Sequence, residues 1–261
     1  MRPLCQRTAS SCGACCGLYN SADPSLASTT RLLDVRTDAL ARAARTAAGF
    51  RAAAASLAGG EPEPLFPSVR ICPLLGWLDE ARTRVGCLAH PAVTGGPDLR
   101  ECGAYDAATC ESFLCPSHSW LGEEEAELAD AACADAQLYG LVVTDVPFLR
   151  GALAAVADRS GSRVERRHLV HPAFRRALRR LLALKMELAP GSEGLFGAFR
   201  PDPSGEPVPR RIDYEAMGRG VSAFDALLNC VGADPRSGND LDRLEAEVRR
   251  RLDACARALP G

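Results

Sequence analysis

Three thiols stand within five residues near the start of the chain, in Cys12-Gly13-Ala14-Cys15-Cys16-Gly17. A soft metal is what favours deprotonating several neighbouring thiols together, as in zinc centres and iron–sulfur clusters. Cys72, Cys87, Cys110 and Cys115 follow at long intervals, so a shared centre would draw distant segments together, and metal binding of that kind is also folding energy. Nine of the twelve cysteines precede residue 116, a density that marks a site region. Cys5 and Cys102 are reserve ligands within it. His90 and His118, each close to a cysteine, are placed to ligate zinc or to donate to cluster sulfur. Cys133, Cys230 and Cys255 fall in helical patterns and read as small buried hydrophobes.

Four thiolates satisfy zinc and an iron–sulfur cluster equally, so the sequence leaves the cofactor open between the two. Eight cysteines from Cys12 to Cys115 also leave open whether there is one site or two. Other chemistry lacks its motifs: there is no glycine-rich phosphate loop, no Gly-x-Ser-x-Gly and no His-Glu-x-x-His. Any reaction would have to come from the cluster itself.

The elements that must position these thiols are mostly helical. Residues 26–58, rich in alanine, leucine and arginine, predict one long helix or two short ones behind an Asp23-Pro24-Ser25 turn. Their apolar row runs through Leu32, Leu33, Val35, Leu40, Ala47, Phe50 and Ala54. Gly59-Gly60 stops the run, and Glu61-Pro62-Glu63-Pro64 reads as a stiff extended connector. Residues 68–75 and 84–89 predict two short β-strands, and residues 105–114 a short helix that carries Cys110 and delivers Cys115 just past its end.

Helices are expected over residues 122–138, from an Asp145 cap onward, and from His171-Pro172 to Leu188, stopped by Ala189-Pro190-Gly191. Residues 201–209, four of them proline, read as a surface loop, and residues 212–231 and 239–259 as two last helices. The fold class is therefore mainly α, with an irregular cysteine-rich metal-binding segment. Residues 1–121 form the cysteine-cluster region and 122–261 a helical region packed on it as one compact unit.

Composition bounds the rest. With 47% hydrophobic and 25% charged residues the chain is ordinary for a globular protein, and no stretch approaches the ~18 apolar residues of a membrane span. Arg2 and Arg7 stand near the start without the apolar core of a signal peptide, which predicts a cytoplasmic protein with reduced thiols. A net charge of −2 argues against wholesale attraction to nucleic acid or a membrane. One stretch runs counter to it, since residues 163–180 hold seven arginines against Glu165 alone. Residues 122–135 carry six acids and no base, so the two stretches are placed to face one another. Otherwise the arginines form a partner- or nucleic-acid-binding surface. Lys185 is the only lysine, read as a compositional bias without chemical meaning.

In three blocks the chain resembles the YkgJ-type cysteine-cluster family, described as a zinc- or iron-chelating domain with a Cys-x2-Cys-x2-Cys-Cys signature. The blocks are Cys12-Gly13-Ala14-Cys15-Cys16-Gly17, then Cys72-Pro73-Leu74-Leu75 with Gly86-Cys87-Leu88-Ala89-His90-Pro91, then Cys110 and Cys115-Pro116. The signature's first cysteine would fall at position 9, where this chain has Ala9. The resemblance covers residues 12–116 and implies that the blocks converge on one cysteine cluster. It implies a metal- or iron–sulfur-binding protein, with a cluster-dependent redox or methyl-transfer enzyme as the alternative, because flagellin lysine methylases carry a similar cluster.

Overall fold

Ser25 accepts a hydrogen bond from Ser28 N at 3.2 Å and so starts α1, Leu26–Arg42. Thr46 caps α2, Ala47–Leu57, in the same way, so the alanine-rich run is two helices broken at Ala43. Leu33, Leu40 and Phe50 are buried as their spacing requires. Val35, expected inside, is 53% exposed, and Arg36 is fully buried in its place. The cause is tertiary. Glu61 lies against α1, where Arg36 Nε donates to its Oε1 at 3.0 Å and Nη2 to its Oε2. The start of the connector at residues 61–64 is thus pinned to α1. This computed structural model describes residues 4–7, 10–23, 25–133, 135–188 and 197–260.

Strands β1, Leu75–Trp77, and β2, Val85–Cys87, pair antiparallel with Leu75 opposite Cys87. Residues 68–72, expected as part of the first strand, are held by other bonds: buried Asn20 donates to Phe66 O and Val69 O, and Cys72 N donates to Cys16 O. Short helices α3, Pro91–Thr94, α4, Ala107–Ser112, and α5, Ser117–Trp120, carry the chain round this region.

The second half is helical. α6, Glu123–Ala132, has three glutamates in its first turn, which suits the positive end of its dipole. It stops at Cys133 because Asp135 caps a new helix, α7, Ala136–Val143, where one helix to Leu138 was expected. Asp145 starts α8, Val146–Ser160, as expected, its Oδ1 accepting from Phe148 N at 3.0 Å. α9, Pro172–Leu182, ends at Ala183 and α10, Leu184–Glu187, follows; the expected stop at residues 189–191 lies outside the described residues.

β3, Phe199–Pro201, and β4, Pro207–Pro209, form a hairpin where a loop was expected. The helix expected from Ile212 begins only at α11, Asp225–Cys230, after Gly218 takes a left-handed turn at φ 65°. α12, Gly238–Ala258, buries Leu241, Leu244, Val248, Leu252 and Cys255 along one face.

The main core joins Leu4, Cys12, Leu18, Tyr19, Leu33 and Leu75 of the first half to the helices of the second. A smaller core holds Leu40, Phe50, Cys72, Leu74, Ala89, Leu99 and Cys102, and Cys16 packs against both. Within the helical half, Lys185 Nζ is buried 2.7 Å from Asp145 Oδ2 and 2.6 Å from Cys230 O, over the ring of Phe148. Among the described residues no single helix is long and apolar enough to cross a membrane, and the apolar pair α7 and α8 is bent by 89°.

Candidate metal centre

Local backbone geometry brings the thiols together in three steps. Cys12 N donates to Cys5 O at 3.0 Å, next to a bridge between Gln6 and Ser11, so the two thiols sit side by side. Residues Ala14–Cys16 form a single 3₁₀ turn that ends at Gly17, φ 76°. A side chain at Gly17 would strike Arg70 O and Ile71 Cα. Glycine there lets the turn lie flat on residues 70–72, where Cys72 N donates to Cys16 O at 2.9 Å. Cys87 arrives on β2, Cys110 on α4 and Cys115 three residues beyond that helix, the delivery its spacing predicts.

The thiols then feel one another's charge. Cys5 and Cys12 each interact with Cys15 and Cys115; Cys16 interacts with Cys72 and Cys87, Cys87 with Cys72 and Cys110, and Cys110 with Cys72 and Cys15. Two neighbourhoods result. One is Cys5, Cys12, Cys15 and Cys115; the other is Cys16, Cys72, Cys87 and Cys110. They join at the vicinal pair, where the Cys16 thiol hydrogen-bonds Cys15 and draws it down to about 7, while Cys16 itself is pushed well up. Burial, then the charge of Cys15, pushes Cys5 up to about 11. Burial, with Cys72 and Cys110 adding and Arg100 opposing, pushes Cys87 up to about 12. Burial raises Cys12 as well, and Cys110 to a lesser degree.

This is the electrostatics of a donor set that a cation would stabilise: burial first, and neighbouring thiolates second, disfavour the charged form, and a positive charge among them would offset that penalty. All twelve cysteines are free thiols. Among the described residues no three Cys, His, Asp or Glu side chains already converge as a ligand set. The chemistry of the donors fits a soft metal; gathering them onto one would take side-chain rotation.

The other site candidates are engaged differently. Cys102 is buried in the same small core as Cys72, but it aims its thiol at Ala47 O, 3.5 Å away under α2. His90 is exposed and caps α3, its Nδ1 accepting from Ala92 N at 3.1 Å. His118 is half-buried on α5, and its backbone N–H donates to Cys115 O. Cys133, Cys230 and Cys255 are buried away from the site, as their patterns implied.

Sequence reasoning missed the residues that hold the thiol segment in place. Tyr19 and Asn20, directly after the thiol turn, anchor it: the Tyr19 hydroxyl donates to Ala136 O at 3.0 Å, and Asn20 fixes residues 66–69. Tyr139 donates to Leu4 O at 2.7 Å from the other side. A run of polar and aromatic residues so close to a thiol motif was the available signal.

No protein-family model matches the chain, and no curated protein or solved structure matches it either. The resemblance to the cysteine-cluster family rests on the residue blocks alone.

Proposed function

We propose that this protein binds zinc or an iron–sulfur cluster through thiolates drawn from Cys5, Cys12, Cys15, Cys16, Cys72, Cys87, Cys110 and Cys115. One observation carries the reading: eight thiols from segments far apart in sequence share two adjoining neighbourhoods, where burial and neighbouring thiols push Cys5, Cys12, Cys16, Cys87 and Cys110 up while Cys15 is drawn down. With that many thiols the coordination closes on sulfur, and closed thiolate centres hold structure. Metal held by these thiolates is therefore a scaffold tying residues 5–16 to 72–87 and 110–115. Twelve free thiols also suit a reducing compartment, and we assign the chain to the cytoplasm.

Anaerobic purification with metal and sulfide quantification and a visible spectrum tests this. Bound zinc, or iron with sulfide and a charge-transfer band, is the expected result, with metal lost in Cys15→Ser. A well-folded protein that retains no metal and takes up none from a weak chelator would end the proposal.

A further inference from the structure

Three of the seven arginines in residues 163–180 are neutralised by acids: Arg163 by Glu124 at 3.3 Å, Arg166 by Glu127 at 2.9 Å and Arg167 by Glu165 at 2.9 Å. The remaining four, Arg175, Arg176, Arg179 and Arg180, stand exposed on α9 with no acidic partner among the described residues. Nearby acids are engaged elsewhere. Glu124 and Glu127 of α6 are taken as above, and Glu187 of α10 and Glu247 of α12 are held by Arg251.

The strip opposes the helix's own preferences. Arg175 with Arg179, and Arg176 with Arg180, are like charges at i,i+4, a spacing that destabilises a helix. The helix dipole favours Arg179 and Arg180 near the C-terminus but not the other two. An uncompensated row of guanidinium groups is therefore a surface awaiting anions.

We propose that this face of α9 binds the phosphate backbone of a nucleic acid without reading its sequence. Arginine matches phosphate with paired donors, and backbone contacts need charge alone. Three other occupants fit less well. A membrane would need the apolar side of α9, but Phe174, Leu178, Leu181 and Leu182 are sealed in the core. A protein interface needs a large apolar anchor, and between the arginines the helix offers only Ala173 and Ala177, with Val170 a single exposed side chain ahead of it. A small anion needs a cleft, yet one described cleft lies along α12 and another between α6 and α8, neither lined by α9.

With no aromatic on this face, base stacking plays no part. The chain's net charge of −2 does not prevent local attraction, because salt near 0.1 M screens charges beyond about 10 Å.

The test is fluorescence anisotropy of a labelled DNA duplex titrated with the full chain between about 50 and 200 mM salt. Four phosphate contacts predict a slope of log K against log salt of about −3.6, and Arg176→Gln with Arg180→Gln should flatten it by about 1.8. The double lysine variant at those positions should keep the slope, which separates lost charge from lost folding, and Arg243→Gln on α12 should change nothing. Several results would overturn the proposal: no binding at the lowest salt with the chain at about 100 µM, a slope unmoved by the glutamine pair, or polyglutamate binding as tightly as DNA with the same dependence on Arg176 and Arg180.

Discussion

Tyr19 and Gly140 fit so closely that a methyl group on the glycine would overlap the tyrosine hydroxyl. That gap lets the Tyr19 side chain, fully buried, reach Ala136 O and lock the thiol segment to α7. Helix propensity alone would have Gly140→Ala stabilise the protein by roughly 1 kcal/mol. The expected outcome is the reverse, a loss of about 1–3 kcal/mol from overpacking. Tyr19→Phe should cost only about 0.5–1.5 kcal/mol for the hydrogen bond its hydroxyl donates to Ala136 O. Urea denaturation of the two variants checks the order, and a stabilised Gly140→Ala protein would mean that the contact is not formed.

Lys185 and Asp145 form a buried pair in which Asp145 also caps α8. Lys185→Met leaves the carboxylate buried without a counter-charge and should destabilise by about 3–5 kcal/mol. Adding Asp145→Asn removes the stranded charge and keeps a capping side chain, so the double variant should be more stable than Lys185→Met alone. Additive losses across the cycle would show that the pair is not coupled.

Burial pushes the Cys255 thiol up to about 12. An unfolded thiol ionises near about 8.5, so the folded state keeps this proton to higher pH than the unfolded chain. The stability it contributes is whole below the unfolded value and is lost as pH rises towards the folded one, by up to about 1.4 kcal/mol per unit. Cys255→Val should therefore decline less steeply than the parent between about pH 9 and 11 in urea titrations. Parallel declines would remove Cys255 from the alkaline transition.

The two thiol neighbourhoods predict two separable centres. Cys115→Ser should empty one and Cys87→Ser the other, each leaving about half of the metal, and Cys15→Ser at the junction should disturb both. Metal quantification on the three variants decides this. If either single variant outside the junction releases all the metal, the thiols share one centre.

Where local chemistry decides structure, the sequence was readable. Ser25 and Asp145 cap the helices they precede, because an oxygen two or three residues ahead of free N–H groups acts over short range. The density of thiols before residue 116 was visible directly in the sequence; which of them lie near one another depends on how distant segments pack. What depended on a remote partner was not. Arg36 turns inward for Glu61, twenty-five residues on. Cys102, at the end of the short turn Arg100–Cys102, shares a core with Cys72 but aims its thiol at Ala47 O under α2, a partner its place in the sequence does not disclose. The hairpin at residues 199–209 was hidden by its prolines, which a two-stranded ribbon accommodates because each strand is an edge. The division of arginines into paired and unpaired sets likewise required the positions of the α6 acids.

Lys185 also gives the chain an internal chemical reporter. These 261 residues contain a single side-chain amine, and its nitrogen is sealed between a carboxylate, a carbonyl and an aromatic ring. An acylating reagent that seeks lysine therefore meets none on the folded surface and modifies position 185 only in molecules whose helical half has opened. The rate of that modification, read by mass spectrometry, would time the opening of the second half independently of anything bound at the thiols.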